Sequence, residues 1–156
     1  MRHLLLSSLL LLTMISGSHA EGDAPQKELI NPASLYQSQY YTQAIATKAK
    51  RTVHISGQWA YDAKGELQGR GDLKAQAIQA CRNLKAVLSA AGATPEQVVK
   101  INVYIVNYRQ ADLEALEAGL RELFGEKREY ASTLVGVQAL ALDGMLFEIE
   151  AVAVTK

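Results

Sequence analysis

Two carboxylates set into an apolar run are the first candidates for chemistry in this 156-residue chain. From Leu146 to Val154 (LFEIEAVAV) the residues alternate, with Phe147, Ile149, Ala151 and Ala153 on one face and Leu146, Val152 and Val154 on the other. Both faces are largely apolar, which is the pattern of a strand covered on both sides. Glu148 and Glu150 fall on the second face. A carboxylate in a covered position must be hydrogen-bonded, paired or neutralised, and a neutralised one is a proton acceptor with a shifted pKa. The alternative is that both Glu lie on a solvated edge or pair with a basic residue.

Other chemistries have little to build on. Of the three His, His3 and His19 lie in the first 20 residues and His54 stands by itself, which leaves no His-based metal site or triad. Cys81 is the single cysteine, so no internal disulfide forms, and on the buried side of a helix it reads as a small core residue. Tyr36, Tyr40 and Tyr41 cluster ahead of the first strand, either as half-buried packing or as the mouth of a pocket. Gly57, inside a strand pattern, marks a bulge or a close approach to the backbone.

The elements that must position these groups follow from periodicity. Gln43–Ala46 and Val53–Tyr61 read as strands. Leu73, Ala77, Cys81, Leu84, Val87, Leu88 and Ala91 have helical spacing, with Asp72 as cap and Gly92 as stop. Thr94-Pro95-Glu96-Gln97 is a capping box with Pro at the first helical position. A strand follows over Val99–Val106, with Val99, Ile101, Val103 and Ile105 on one face. Asn107 with Gln110 makes a weaker cap, and Leu113, Leu116, Leu120, Leu123 and Phe124 give a second amphipathic helix ended by Gly125. Two strand-like runs close the chain, within Tyr130–Val154, around an Asp143-Gly144 turn. Both helices are apolar on one stripe only, and crossover handedness puts them on the same side of one mixed sheet, an α/β (α+β) architecture. The other side of the sheet is then expected to be buried against copies of the same chain, most simply in a closed ring.

At the start, Met1-Arg2-His3, the apolar Leu4–Ile15 and the closing Ser18-His19-Ala20 read as a secretory signal peptide cut after Ala20. The apolar run is shorter than the roughly 20 residues of a spanning helix. The expected organisation is a signal peptide over 1–20, a flexible leader over 21–35 and one domain over 36–156, exported to a periplasm or beyond and free of the membrane after cleavage. The 16 basic and 16 acidic residues balance, and loss of Arg2 with the signal peptide would make the mature chain one unit negative. Without a Lys/Arg cluster there is no electrostatic footprint for nucleic acid.

Four segments in order carry a resemblance. Tyr41-Thr42-Gln43-Ala44, Ser56-Gly57-Gln58, Asn83-Leu84 with Ala91-Gly92, and Glu148-Ile149-Glu150-Ala151 resemble elements of the RidA (YjgF) family, from about Tyr36 to the last residue. The resemblance implies a chorismate-mutase-like fold, a homotrimer and three small-molecule clefts between subunits. It also implies hydrolysis of reactive enamines and imines to the oxo compound and ammonia, without a metal or organic cofactor. An imine carbon is already electrophilic, so the chemistry needs a held substrate, a water and a proton acceptor. By resemblance, Glu148 orders the water, while Tyr41 and Gly57 shape the cleft. The family's Pro-Ala-Arg-Ser-Cys is matched by Tyr130-Ala131-Ser132-Thr133-Leu134, so Ser132 stands at the carboxylate-gripping arginine. A hydroxyl donates one hydrogen bond but brings no charge. Two functions stay open: an imine or enamine hydrolase in which Ser132 and Thr133 replace the usual anchor, and a non-catalytic trimeric protein that binds a small metabolite in the same cleft. A ribonuclease is disfavoured by the charge balance and the absence of paired histidines.

Overall fold

The computed structural model describes residues 26–156. The signal-peptide reading of residues 1–20 lies outside them. Eight regular elements follow in order: strands β1 (Gln26–Ile30), β2 (Ala44–Lys48) and β3 (Arg51–Gln58), helix α1 (Leu73–Ala90), strand β4 (Val98–Val106), helix α2 (Leu113–Phe124), and strands β5 (Ala131–Val137) and β6 (Phe147–Thr155). The main sheet has the order β3-β6-β4-β5. Strand β6 runs antiparallel to both β3 and β4, while β4 and β5 are parallel. Each helix therefore connects parallel strands, β3 to β4 through α1 and β4 to β5 through α2.

The core lies between this sheet and the two helices. Phe147, Ile149, Ala151 and Ala153 of β6, with Ile101, Val103 and Ile105 of β4, meet Ala77, Ala80, Cys81, Leu84 and Leu88 of α1 and Leu116, Leu120 and Leu123 of α2. Helix α1 packs on β6 and β3, and α2 packs on α1. The helices come so close that a Cβ at Gly119 would sit 2.8 Å from the Ala77 carbonyl oxygen. Cys81 is fully buried, and burial above all, with the nearby Glu122 charge, pushes its thiol well above the ordinary range, so it packs as a small apolar side chain.

Local signals explain most boundaries. Asp72 caps α1 by accepting from the Ala75 N–H at 3.0 Å. The Thr94 N–H donates to Gln97 Oε1 at 3.0 Å across the short 3₁₀ turn Pro95–Gln97. The entry to α2 differs from the Asn107–Gln110 cap expected from sequence. Asn107 adopts a left-handed φ of 51°, and the Arg109 N–H donates to Asp112 Oδ2 at 2.7 Å around a second 3₁₀ turn, so the acid of Asp112, absent from the expected pairing, closes it.

Two further findings depart from the sequence reading. Residues Gln26–Ile30, expected in a leader without structure, form β1 and pair antiparallel with β2, so neither strand joins the main sheet. This ribbon is tied where β4 and β5 begin: Lys27 Nζ donates to the carbonyls of Glu96 (2.5 Å), Val98 (2.8 Å) and Glu129 (3.0 Å), and Thr42 bridges Ala131 at the outer edge of β5. In β4, Val98 pairs with Ala153 and Lys100 with Val152, one extra residue on the β4 side. That bulge puts Val98, rather than Val99, into the core.

Candidate functional site

The helix-free face of the sheet carries the polar residues, and strand register places them in rows. Across the first row Tyr104 of β4 stands opposite Glu148 of β6. In the second, Glu150 of β6, Asn102 of β4 and Thr133 of β5 lie side by side. In the third, His54 of β3 and Lys100 of β4 flank Val152. The alternation predicted from Leu146 onward is observed, with Glu148 and Glu150 half-buried between buried Phe147, Ile149 and Ala151.

Glu148 occupies room that a missing side chain provides. Between Ile55 and Gln58, β3 has one residue more than β6, so the strand bulges at Ser56 and Gly57. A Cβ at Gly57 would overlap the Glu148 carboxylate. Gln58 staples the bulge from the buried side: its Nε2 donates to the Ser56 carbonyl at 3.1 Å, and its Oε1 accepts from the Tyr61 hydroxyl at 2.8 Å. Partial burial, reinforced by the Glu150 charge two residues away, raises the Glu148 carboxyl above its ordinary 4.5.

Glu150 is held differently. Its Oε1 accepts from Asn102 Nδ2 at 2.6 Å and from the Tyr104 hydroxyl at 3.2 Å. Burial first, then that bond and the two glutamate charges, pushes the Tyr104 phenol up. Lys100 Nζ donates to Thr133 Oγ1 at 2.5 Å. Burial lowers this ammonium, while Glu150 pulls the other way. His54, Ser56, Lys100, Asn102 and Glu150 share an open depression of about 280 Å³.

The structure brings some expected site residues together and separates others. Gly57 and Glu148 touch. Ser132 and Thr133 divide between the two faces: Ser132 is in register with buried Ile101 on the helix side, whereas Thr133 is in register with Asn102 on the open face. Tyr41 precedes Thr42, whose N–H donates to the Tyr130 carbonyl at 3.0 Å, so it lies at the β5 edge. Gly57 lies in β3 at the other edge, with β6, β4 and β5 between the two. Lys100, Asn102, Tyr104 and His54 were not singled out from sequence as site residues, and Glu150, singled out with Glu148, was not given the partners it has here. The signal was present in Lys100-Ile101-Asn102-Val103-Tyr104, where polar residues alternate with core residues.

The arrangement offers a proton acceptor reluctant to ionise, a cation beside a hydroxyl, and a hydrogen-bonded carboxylate on one surface.

Known proteins share this sequence and fold. A RutC family protein of Pyrococcus horikoshii is 40% identical over 114 residues, 72% of this chain and 85% of the relative. A 2-iminobutanoate/2-iminopropanoate deaminase of Dermatophagoides farinae is 31% identical over 131 residues, covering 84% of this chain and 98% of the relative. The crystal structure of YyfB from Yersinia pestis, a protein of unknown function of the conserved Rid family, superposes with a TM-score of 0.75 at 44% identity, over 82% of this chain and 98% of that one. The profile of the family described as Endoribonuclease L-PSP matches residues 32–155. With nearly the whole described chain matched, its mixed sheet and paired helices included, this protein belongs to the Endoribonuclease L-PSP family, that of the RidA (YjgF) proteins.

Proposed function

We propose that this chain hydrolyses small reactive imines or enamines to the corresponding oxo compound and ammonia. The observation that carries this reading is the seating of Glu148, a partly desolvated carboxylate with a raised pKa set against the backbone of Gly57. The similarity to a 2-iminobutanoate/2-iminopropanoate deaminase supports it. In the reaction a water adds to the imine carbon while Glu148 accepts its proton. Glu148 returns that proton to the nitrogen to complete the carbinolamine; as the C–N bond breaks, the hydroxyl oxygen closes the carbonyl and its proton passes through Glu148 to the departing nitrogen, which leaves as ammonia. Atoms balance as imine plus water giving carbonyl plus ammonia.

The separation of Tyr41 from Gly57 supports a cleft completed by a neighbouring copy, in which the β5 edge of one chain meets the Glu148 region of the next. A homotrimer closes that contact in a ring. Export through a cleaved signal peptide remains part of this proposal, on the strength of residues 1–20 alone. The test is ammonia release from 2-iminopropionate and 2-iminobutanoate generated in situ. Release above the buffer rate supports a hydrolase; a rate equal to buffer, with a metabolite still bound, leaves the non-catalytic binder.

A further inference from the structure

The Glu148 carboxylate lies against a backbone segment that is itself tied to helix α1. A β-bulge interrupts the ladder, so its shape depends on the bonds that its own carbonyls find elsewhere. At Ser56 and Gly57 those bonds come from the helix side of the sheet. Buried Gln58 donates through Nε2 to the Ser56 carbonyl at 3.1 Å and to the Gly57 carbonyl at 3.3 Å. Its Oε1 accepts from the Tyr61 hydroxyl at 2.8 Å, which fixes the way the amide points. Tyr61 is held in turn by α1: Asn83 Nδ2 donates to the Trp59 carbonyl at 2.8 Å and to the Tyr61 carbonyl at 3.0 Å. Asn83 Oδ1 accepts from Gln79 Nε2 at 2.9 Å, one turn earlier on the same helix. The bonds thus run from Gln79 and Asn83 through Tyr61 and Gln58 to the bulge, and end where a Cβ at Gly57 would overlap Glu148.

We propose that Gln58 and Asn83 are positioning residues for Glu148: through Tyr61 they hold the Ser56-Gly57 bulge against the carboxylate, so that α1 sets the place of the acid from the far side of the sheet. Neither side chain meets a ligand on the open face, since Gln58 is buried toward the core and Asn83 belongs to α1. Glu150 has no need of this support, being fastened within the sheet by Asn102 and Tyr104. Relaxing the bulge admits water beside Glu148, which brings the carboxyl down toward its ordinary 4.5 and loosens its alignment. The titratable groups that face Glu148 are untouched by such a change. They are Glu150 two residues on and Tyr104 across the row, while His54, the titratable side chain of β3 nearest the bulge, stands opposite Val152.

The effect on catalysis rests on the hydrolase reading; the hold on the carboxyl does not, and two readouts separate them. The first is the titration midpoint of Glu148, followed by NMR of the carbon-13-labelled carboxyl and assigned by its loss in Glu148→Gln. The midpoint should move down toward 4.5 in Gln58→Leu, Tyr61→Phe and Asn83→Ala. The second is ammonia release from 2-iminobutanoate. In Gln58→Leu and Asn83→Ala, kcat should fall by roughly tenfold with KM within about twofold, and the acid limb of the rate profile should move to lower pH with the midpoint. Because the two residues act in series, the Gln58→Leu/Asn83→Ala double variant should fall no further than the worse single one. Tyr61→Phe removes one hydroxyl and carries the test where the larger changes prevent folding. A merely structural role lowers the melting temperature and leaves midpoint and acid limb at their parent values; that result in folded variants, or an additive double variant, overturns the proposal. A midpoint that moves in the variants of a protein releasing no ammonia keeps the positioning and removes the hydrolase.

Discussion

Glu148 is a carboxylate that the fold makes reluctant to ionise. Its desolvation and the adjacent Glu150 both disfavour the charge, so the folded protein holds this proton more tightly than the unfolded chain does. Stability tied to the protonated form is fully present below about 4.5 and is lost as pH rises through the higher folded value. Glu148→Gln removes that loss. Thermal melts should therefore show the parent protein falling in stability relative to the variant across the acidic window just above 4.5, then a constant difference. At the same scale, the split between Ser132 and Thr133 makes a second prediction. Thr133→Arg adds a cation to the open face and should raise the preference for carboxylate-bearing imines over neutral ones by about tenfold, read as the ratio of kcat/KM values. Ser132→Arg pushes the guanidinium toward the helix-side layer and should lower the melting temperature without that gain.

At the scale of elements, one buried polar residue holds the approach to β6. Gln76 of α1 is fully buried, and all of its polar capacity is directed at neighbouring loops: Nε2 donates to the carbonyls of Gly69 (3.1 Å) and Gly144 (2.9 Å), and Oε1 accepts from the Leu146 N–H at 2.8 Å. Gln76→Leu strands these groups without partners and should cost on the order of 3 kcal/mol in urea denaturation. The helices and the last strand were legible in the sequence because their apolar spacing is long and regular, as in Leu73–Ala90 and Phe147–Thr155. Register was not. A single inserted residue moves every later side chain to the other face, and the bulges at Ser56-Gly57 and Val98–Lys100 do this without a signature beyond the one glycine. For the same reason the sequence could not say which of Ser132 and Thr133 shares a face with Glu150. Gly57 was legible as a close approach, but its neighbour's identity depended on the register of β3 against β6. The strand β1 was hidden by length: five residues with polar Gln26, Lys27 and Glu28 carry no readable period, and pairing with β2 supplies what pattern does not.

For the whole molecule, the sheet is covered by helices on one face and carries half-buried polar and apolar groups on the other. Tyr41 and Gly57 stand at its opposite edges, so a single chain does not enclose the small-molecule cleft proposed above. Copies arranged in a ring would bring those edges together, and sedimentation equilibrium at micromolar concentration should give three times the mass of the mature chain. A monomer would remove the shared cleft while leaving the open-face groups in place. The most direct test of the account as a whole is the rate of ammonia release from 2-iminobutanoate, compared between the parent protein and Glu148→Gln in folded preparations of equal concentration. The account predicts a rate above buffer for the parent that falls by roughly a hundredfold or more in the variant, the contribution of a positioned proton acceptor. Equal rates for parent, variant and buffer would contradict it.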